Sequence, residues 1–285
     1  ETMPKAGCPS PANDPACSKG MTLQPVDDDL NLRCYDQKRR FGFDLLQPLS
    51  RYRDALKSST VPDAAGNAVQ NPLFAGGVRN PSQVIFTGIV GVPWQDLADP
   101  ASLTGPGLTL LSADALARGG HFLAMLGNPT ASPPLPPTDP FMVETPNDRS
   151  ALTGGKQNPY VPESIVAADS LNPQANHING HESQPSSLQL QAACTFPLDK
   201  PLTCDENASN NGQSCYCFYE ELAANRAVCQ PPQGGMPGTT QYYAQAYPGL
   251  RHLQLMQQLG DTAVVASICP KVLDASQPDY GYRPA

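Results

Sequence analysis

The segment Asn176-His-Ile-Asn-Gly-His-Glu182 holds the most chemically suggestive side chains in this 285-residue sequence. Histidines four apart, His177 and His181, share one face if the segment is helical. With Glu182 beside them they have the donor types of a zinc site that activates water. Asp139, Glu144 or His121 would complete the shell, and the product would be a metal-dependent hydrolase. The neighbours argue against it. Asn179-Gly180 reads as a turn and Pro173 stands just upstream. In the helical His-Glu-x-x-His pattern the glutamate follows the first histidine, whereas Glu182 follows the second. The preferred reading is an Asn-Gly turn whose histidines hydrogen-bond loop backbone; the hydrolase is the alternative.

Other candidate chemistry is thinner. Asp27-Asp-Asp-Leu-Asn31 starts like a calcium loop but lacks its central Gly and terminal Glu, so a solvated acidic turn is expected. Asp205-Glu-Asn-Ala-Ser-Asn-Asn-Gly212 reads as a hydrated turn between bridges, and Asn207-Ala-Ser209 is formally a glycosylation sequon. His121, in an apolar run, is expected to be a satisfied core histidine. The sequence has no nucleophile elbow, P-loop, dinucleotide fingerprint or haem motif. Its net charge of -8 disfavours nucleic acid, and Lys38-Arg39-Arg40 is a solvated turn or helix start rather than a patch. No run is long and apolar enough for a transmembrane segment.

Nine cysteines, five of them at positions 194–229, point to an oxidising compartment and hence an extracytoplasmic setting: periplasmic, outer-surface or secreted. Zinc is disfavoured, because the closest pair is Cys215-Tyr-Cys217. At least three bridges are expected. One is Cys8–Cys17, around a Pro/Asn/Asp loop. At least two have ends among Cys194, Cys204, Cys215, Cys217 and Cys229. Cys204 is expected to pair with Cys215 or Cys217, since Asn210-Asn-Gly212 permits the return turn. The odd count and the start at Glu1, with neither Met nor leader, fit a processed or partial product with one cysteine partner elsewhere.

These residues need a scaffold, and the stretch around Gly88 supplies its centre. Residues 84–92 form an almost unbroken β-branched and aromatic run closed by Pro93, which predicts a strand covered on both faces. A helix is predicted over 48–57, with Leu45, Leu49, Tyr52 and Leu56 on one face and Pro48 in its first turn. A Pro/Gly/Asn-rich connection follows. A short helix starts at Ser112 and stops at Gly119-Gly120. Leu250, Leu253, Met256 and Leu259 stripe a helix over 248–259 that stops at Gly260 and leads into a strand at 263–268. Two helix–loop–strand units predict an α/β fold: a mostly parallel, helix-flanked sheet with both strands nearly solvent-free. Residues 1–33 form an irregular segment. Residues 34–285 form a single α/β domain with long Pro/Gly-rich loops, a loop insertion at 128–191 and a disulfide-rich insertion at 194–229.

Three pieces carry a resemblance: Gly88-Ile-Val-Gly-Val-Pro-Trp94, His177-Ile-Asn-Gly-His-Glu182, and Tyr247-Pro-Gly-Leu-Arg-His-Leu253 with Val265-Ala-Ser-Ile-Cys-Pro270. Together they resemble extracytoplasmic bacterial proteins related to von Willebrand factor A domains, over roughly residues 34–285. The resemblance implies a non-enzymatic binding or assembly module that makes protein–protein contacts or sits in a larger assembly. It also implies that a lipid anchor can lie outside this sequence. No motif demands a cofactor, and the resemblance admits a divalent cation, calcium or magnesium. The adhesion motif Asp-x-Ser-x-Ser is absent, so its metal is carried over to no residue; an upstream first strand would have to supply it. Ligands of parallel sheets gather beyond the carboxyl ends of the strands. Trp94 is therefore expected at that rim, with the 128–191 insertion over it and His177, His181 and Glu182 on the same surface, ordering loops or touching a partner.

Overall fold

The computed structural model describes residues 46–77, 79–103, 107–128, 131–132, 135–145, 190–204, 215–217, 227–229, 231–232 and 235–271. The chain divides into two compact units, Glu1–Gln47 and Pro48–Ala285. Of the first, only Leu46 and Gln47 are described, and the elements below all belong to the second. Cys8, Cys17, His177, His181 and Glu182 lie outside the described residues.

The architecture is mixed α/β, with small sheets and a few helices. Helix α1 (Leu49–Lys57) begins behind Pro48, whose fixed φ suits a helix entry, and ends at Ser58. Leu49 and Leu56 pack against the core, but Tyr52 departs from the predicted stripe and is exposed. The connection that follows contains a hairpin, β1 (Thr60–Pro62) and β2 (Ala68–Gln70), whose turn is closed by Asp63 accepting from the backbone of Ala65 and Asn67. Asn71, buried after the hairpin, donates to the carbonyls of Ala55 and Ser58 and so ties it to the end of α1.

The central unit is a parallel strand pair. Strand β3 (Phe86–Val90) runs beside β6 (Ala263–Ser267), in register Phe86 with Ala263 through Val90 with Ser267. Helix α5 (Leu250–Leu259) covers one face of the pair. Its Leu253, Met256 and Leu259 are buried against Val90, Ala263 and Val265. The helix lies close because the strand is notched. A Cβ on Gly88 would sit 2.7 Å from the Met256 sulfur, and one on Gly91 would sit 1.9 Å from the Tyr247 carbonyl oxygen. The Gly249 amide donates to Gly91 O at 2.8 Å, which fixes the entry of α5. Gly260, at φ +62°, ends α5 as the sequence predicts.

The expected cover on the second face is a correction. Ile85 and Ile89 are 69% and 67% exposed, and Val264 and Ile268 are exposed beside them. By strand alternation these residues share the face opposite α5, because Thr87 pairs with Val264 and Ile89 with Ala266. The β-branched run does form a strand, but its odd-numbered residues look outward. A run apolar on both faces encodes a need for cover without encoding the cover. Among the described pairings one is parallel and two are antiparallel.

The third pairing was not predicted. Strands β4 (Cys194–Thr203) and β5 (Thr240–Ala246) form an antiparallel ribbon with an irregularity between Pro197 and Leu202. Three disulfides join the described residues: Cys194–Cys269, Cys204–Cys215 and Cys217–Cys229. The expected pairing of Cys204 is thus found with Cys215. Cys269 takes part although the sequence gave no reason to include it.

Candidate binding surface

Two features of the parallel pair are candidates for function: its open face, and the rim beyond its carboxyl ends. The open face comprises Ile85, Thr87 and Ile89 from the β3 side and Val264, Ala266 and Ile268 from the β6 side. None of the six carries a charge, and the four large aliphatic side chains are all substantially in water. Singly exposed aliphatics are ordinary, but aliphatics adjoining on one sheet face form a patch that favours a partner.

The rim is built differently. Beyond β3 the chain passes Gly91, Val92 and Pro93 into a single helical turn, α2 (Trp94–Leu97), whose four residues are all buried. Trp94 therefore follows the carboxyl end of β3, but it is sealed, at 2% exposure, and its indole Nε1 is buried without a hydrogen-bond partner. The ammonium of Lys271, four residues beyond the end of β6, stands over the Trp94 ring, 4.9 Å from its centroid. Lys271 also donates to the carbonyl oxygens of Ser102 (2.6 Å) and Gly107, which fastens the loop after α2. Burial pushes the Lys271 ammonium below its ordinary pKa, while the ring face and the two carbonyls favour the charge.

His121 behaves as the sequence predicts. Ser112 caps helix α3 (Ala113–Arg118) through the Ala115 amide, and Gly119 ends it. Gly120, at φ +77°, turns the chain directly into a second helix, α4 (His121–Leu126). There His121 is buried with Nδ1 2.8 Å from the Asp96 carbonyl oxygen, so the neutral ring donates to it. Burial lowers its pKa and outweighs that hydrogen bond, leaving the ring uncharged at neutral pH. Asp139 is also buried, and its Oδ1 accepts from the Phe141 amide at 3.0 Å to cap the turn Pro140–Met142. Among the described residues no three His, Cys, Asp or Glu side chains converge in a way that could hold a metal ion. His121 and Asp139 thus serve backbone, and Glu144 joins no such group.

Sequence reasoning missed Lys271, Cys269 and the exposure of Ile85, Ile89, Val264 and Ile268. For Cys269 a signal was present, since it stands at a strand exit beside Pro270. For Lys271 there was none. Among the described residues no helix is long and apolar enough to cross a membrane. No protein-family model, curated protein or solved structure matches the chain.

Proposed function

We propose that this chain is a non-enzymatic binding or assembly module that works outside the cytoplasm and holds a protein partner through the open face of its parallel strand pair. The observation that carries this reading is the uncharged aliphatic surface of Ile85, Ile89, Val264 and Ile268, opposite the helix-covered face. Parallel strands are normally covered on both faces, and here α5 supplies one cover among the described elements. Three disulfides support the extracytoplasmic setting. A parallel pair with a helix leading into its second strand supports kinship with von Willebrand factor A domains, as do the cystines placed outside that pair.

A photo-crosslinking amino acid at Ile89 or Val264, with exposed Ala55 on α1 as control, tests the reading in the native host. The expected result is one discrete protein adduct from both sheet positions and none from position 55. The same adducts from all three positions, or none from any, would sink it.

A further inference from the structure

We propose that Cys194–Cys269 is a redox latch on the carboxyl end of the parallel pair, shut when oxidised and open when reduced. The segment after β6 is a clasp. The Ile268 amide donates to Val90 O at 3.0 Å, and Ser267 Oγ donates to Val92 O at 2.5 Å and accepts from the Cys269 amide at 2.8 Å. Lys271 then reaches across to Ser102, Gly107 and the Trp94 ring. The covalent end of this clasp is the bond from Cys269 to the first residue of β4, 75 residues away in sequence. The other two bridges close local loops of 11 and 12 residues and leave the rim alone.

Two features make the shut state depend on that bond. The Trp94 Nε1 is buried with no acceptor, so closing the rim removes its water without replacing it. The Lys271 ammonium is buried too, and burial disfavours its charged form. Both burdens are relieved if residues 269–271 swing outward. The core beneath has no such dependence, because Val90, Val265, Leu253, Met256 and Leu259 pack together without the clasp. Opening is therefore local, of the kind that exposes one segment while the core stays folded.

The chemistry is thiol–disulfide exchange. Closing oxidises the thiols of Cys194 and Cys269 to one disulfide, and two electrons and two protons pass to an oxidant disulfide, which becomes a dithiol. Opening is the reverse, with a dithiol as reductant. Both cysteines are buried, so the reductant attacks only after the segment has swung out.

Trp94 is the sole tryptophan and reports the latch directly. In the oxidised protein its emission should be that of a sealed indole, resistant to acrylamide. Titration with dithiothreitol should red-shift the emission and admit the quencher while far-UV circular dichroism is largely retained. The Cys194→Ser/Cys269→Ser variant should show the open signal without reductant, and Cys204→Ser/Cys215→Ser should keep the shut one. Two results would overturn the proposal. In one, reduced wild type and the Cys194→Ser/Cys269→Ser variant keep the sealed, unquenched signal. In the other, tryptophan exposure and loss of circular dichroism coincide in a single step, making the bond a staple of the whole fold. If the double variant does not fold, the reduction of oxidised wild type decides between the same outcomes.

Discussion

The parallel pair and the antiparallel ribbon reach order by different means. The pair β3–β6 packs on α5 through Val90, Val265, Leu253, Met256 and Leu259, a core without a disulfide. Fully burying one such side chain stabilises a fold by about 1.5–3 kcal/mol. The far end of the ribbon β4–β5 has a small cluster instead: Cys204, Cys215, Cys217, Cys229 and Val228, flanked by Leu202, Tyr216 and Tyr243. A two-stranded ribbon is marginal alone, and closing loops of 11 and 12 residues in the chain-entropy account offsets about 3 kcal/mol each. Cross-links thus stand in where apolar area is short, and each region should fail to the perturbation that the other tolerates.

The largest expected effect is on the pair. Leu253→Ala empties a fully buried site under both strands and should cost about 2–5 kcal/mol, read as a lowered urea midpoint. The cystine cluster should be untouched by it. Cys204→Ser/Cys215→Ser should remove about 3 kcal/mol from the ribbon. Amide hydrogen exchange should then rise along β4 and β5 and stay unchanged along β3 and α5. Equal exchange in both regions would erase the contrast.

A smaller effect is set by pH. His121 is buried with its pKa lowered chiefly by desolvation. Below pH about 6.5, the ordinary histidine value, the unfolded chain takes a proton that the folded ring resists. The unfolded state binds more protons there, so stability falls as the pH drops through that window and returns as it rises. The urea midpoint of wild type should decline on acidification, and His121→Asn should decline less steeply. Parallel slopes for the two proteins would refute the assignment. The smallest stability effect belongs to Ile89→Glu, within about 0.5 kcal/mol because the side chain is already in water. It should nevertheless abolish the adduct formed from position 264.

Locally encoded features were legible in the sequence. Pro48 marks the start of α1, Ser112 caps α3 by its own hydroxyl, and Gly260 ends α5. The turn residues Asn210-Asn-Gly212 pointed to Cys204–Cys215. Features set by distant chain were not legible. Pro197 and Pro201 disguise β4, which accommodates them at an irregular stretch of the ladder. Gly119-Gly120 reads as a stop, yet the positive φ of Gly120 starts α4 at once. The exit of β3 placed Trp94 correctly along the chain, but the lysine that covers it comes from far downstream. Nothing in the spacing of Cys194 and Cys269 links them.

The hydrogen bond from Ser267 to Val92 spans 175 residues of sequence, and the parallel ladder beside it is comparably long-range. Ribosomes extend chains at about 5–20 residues per second. Strand β3 therefore leaves the ribosome on the order of ten seconds before β6 exists to pair with it. For that interval Ile85 to Val90 is an aliphatic strand with no neighbour, and a fold that closes so late is slow and open to aggregation. A nascent-chain holdase is the natural remedy, and its binding window would close when Val265 arrives beside Gly88.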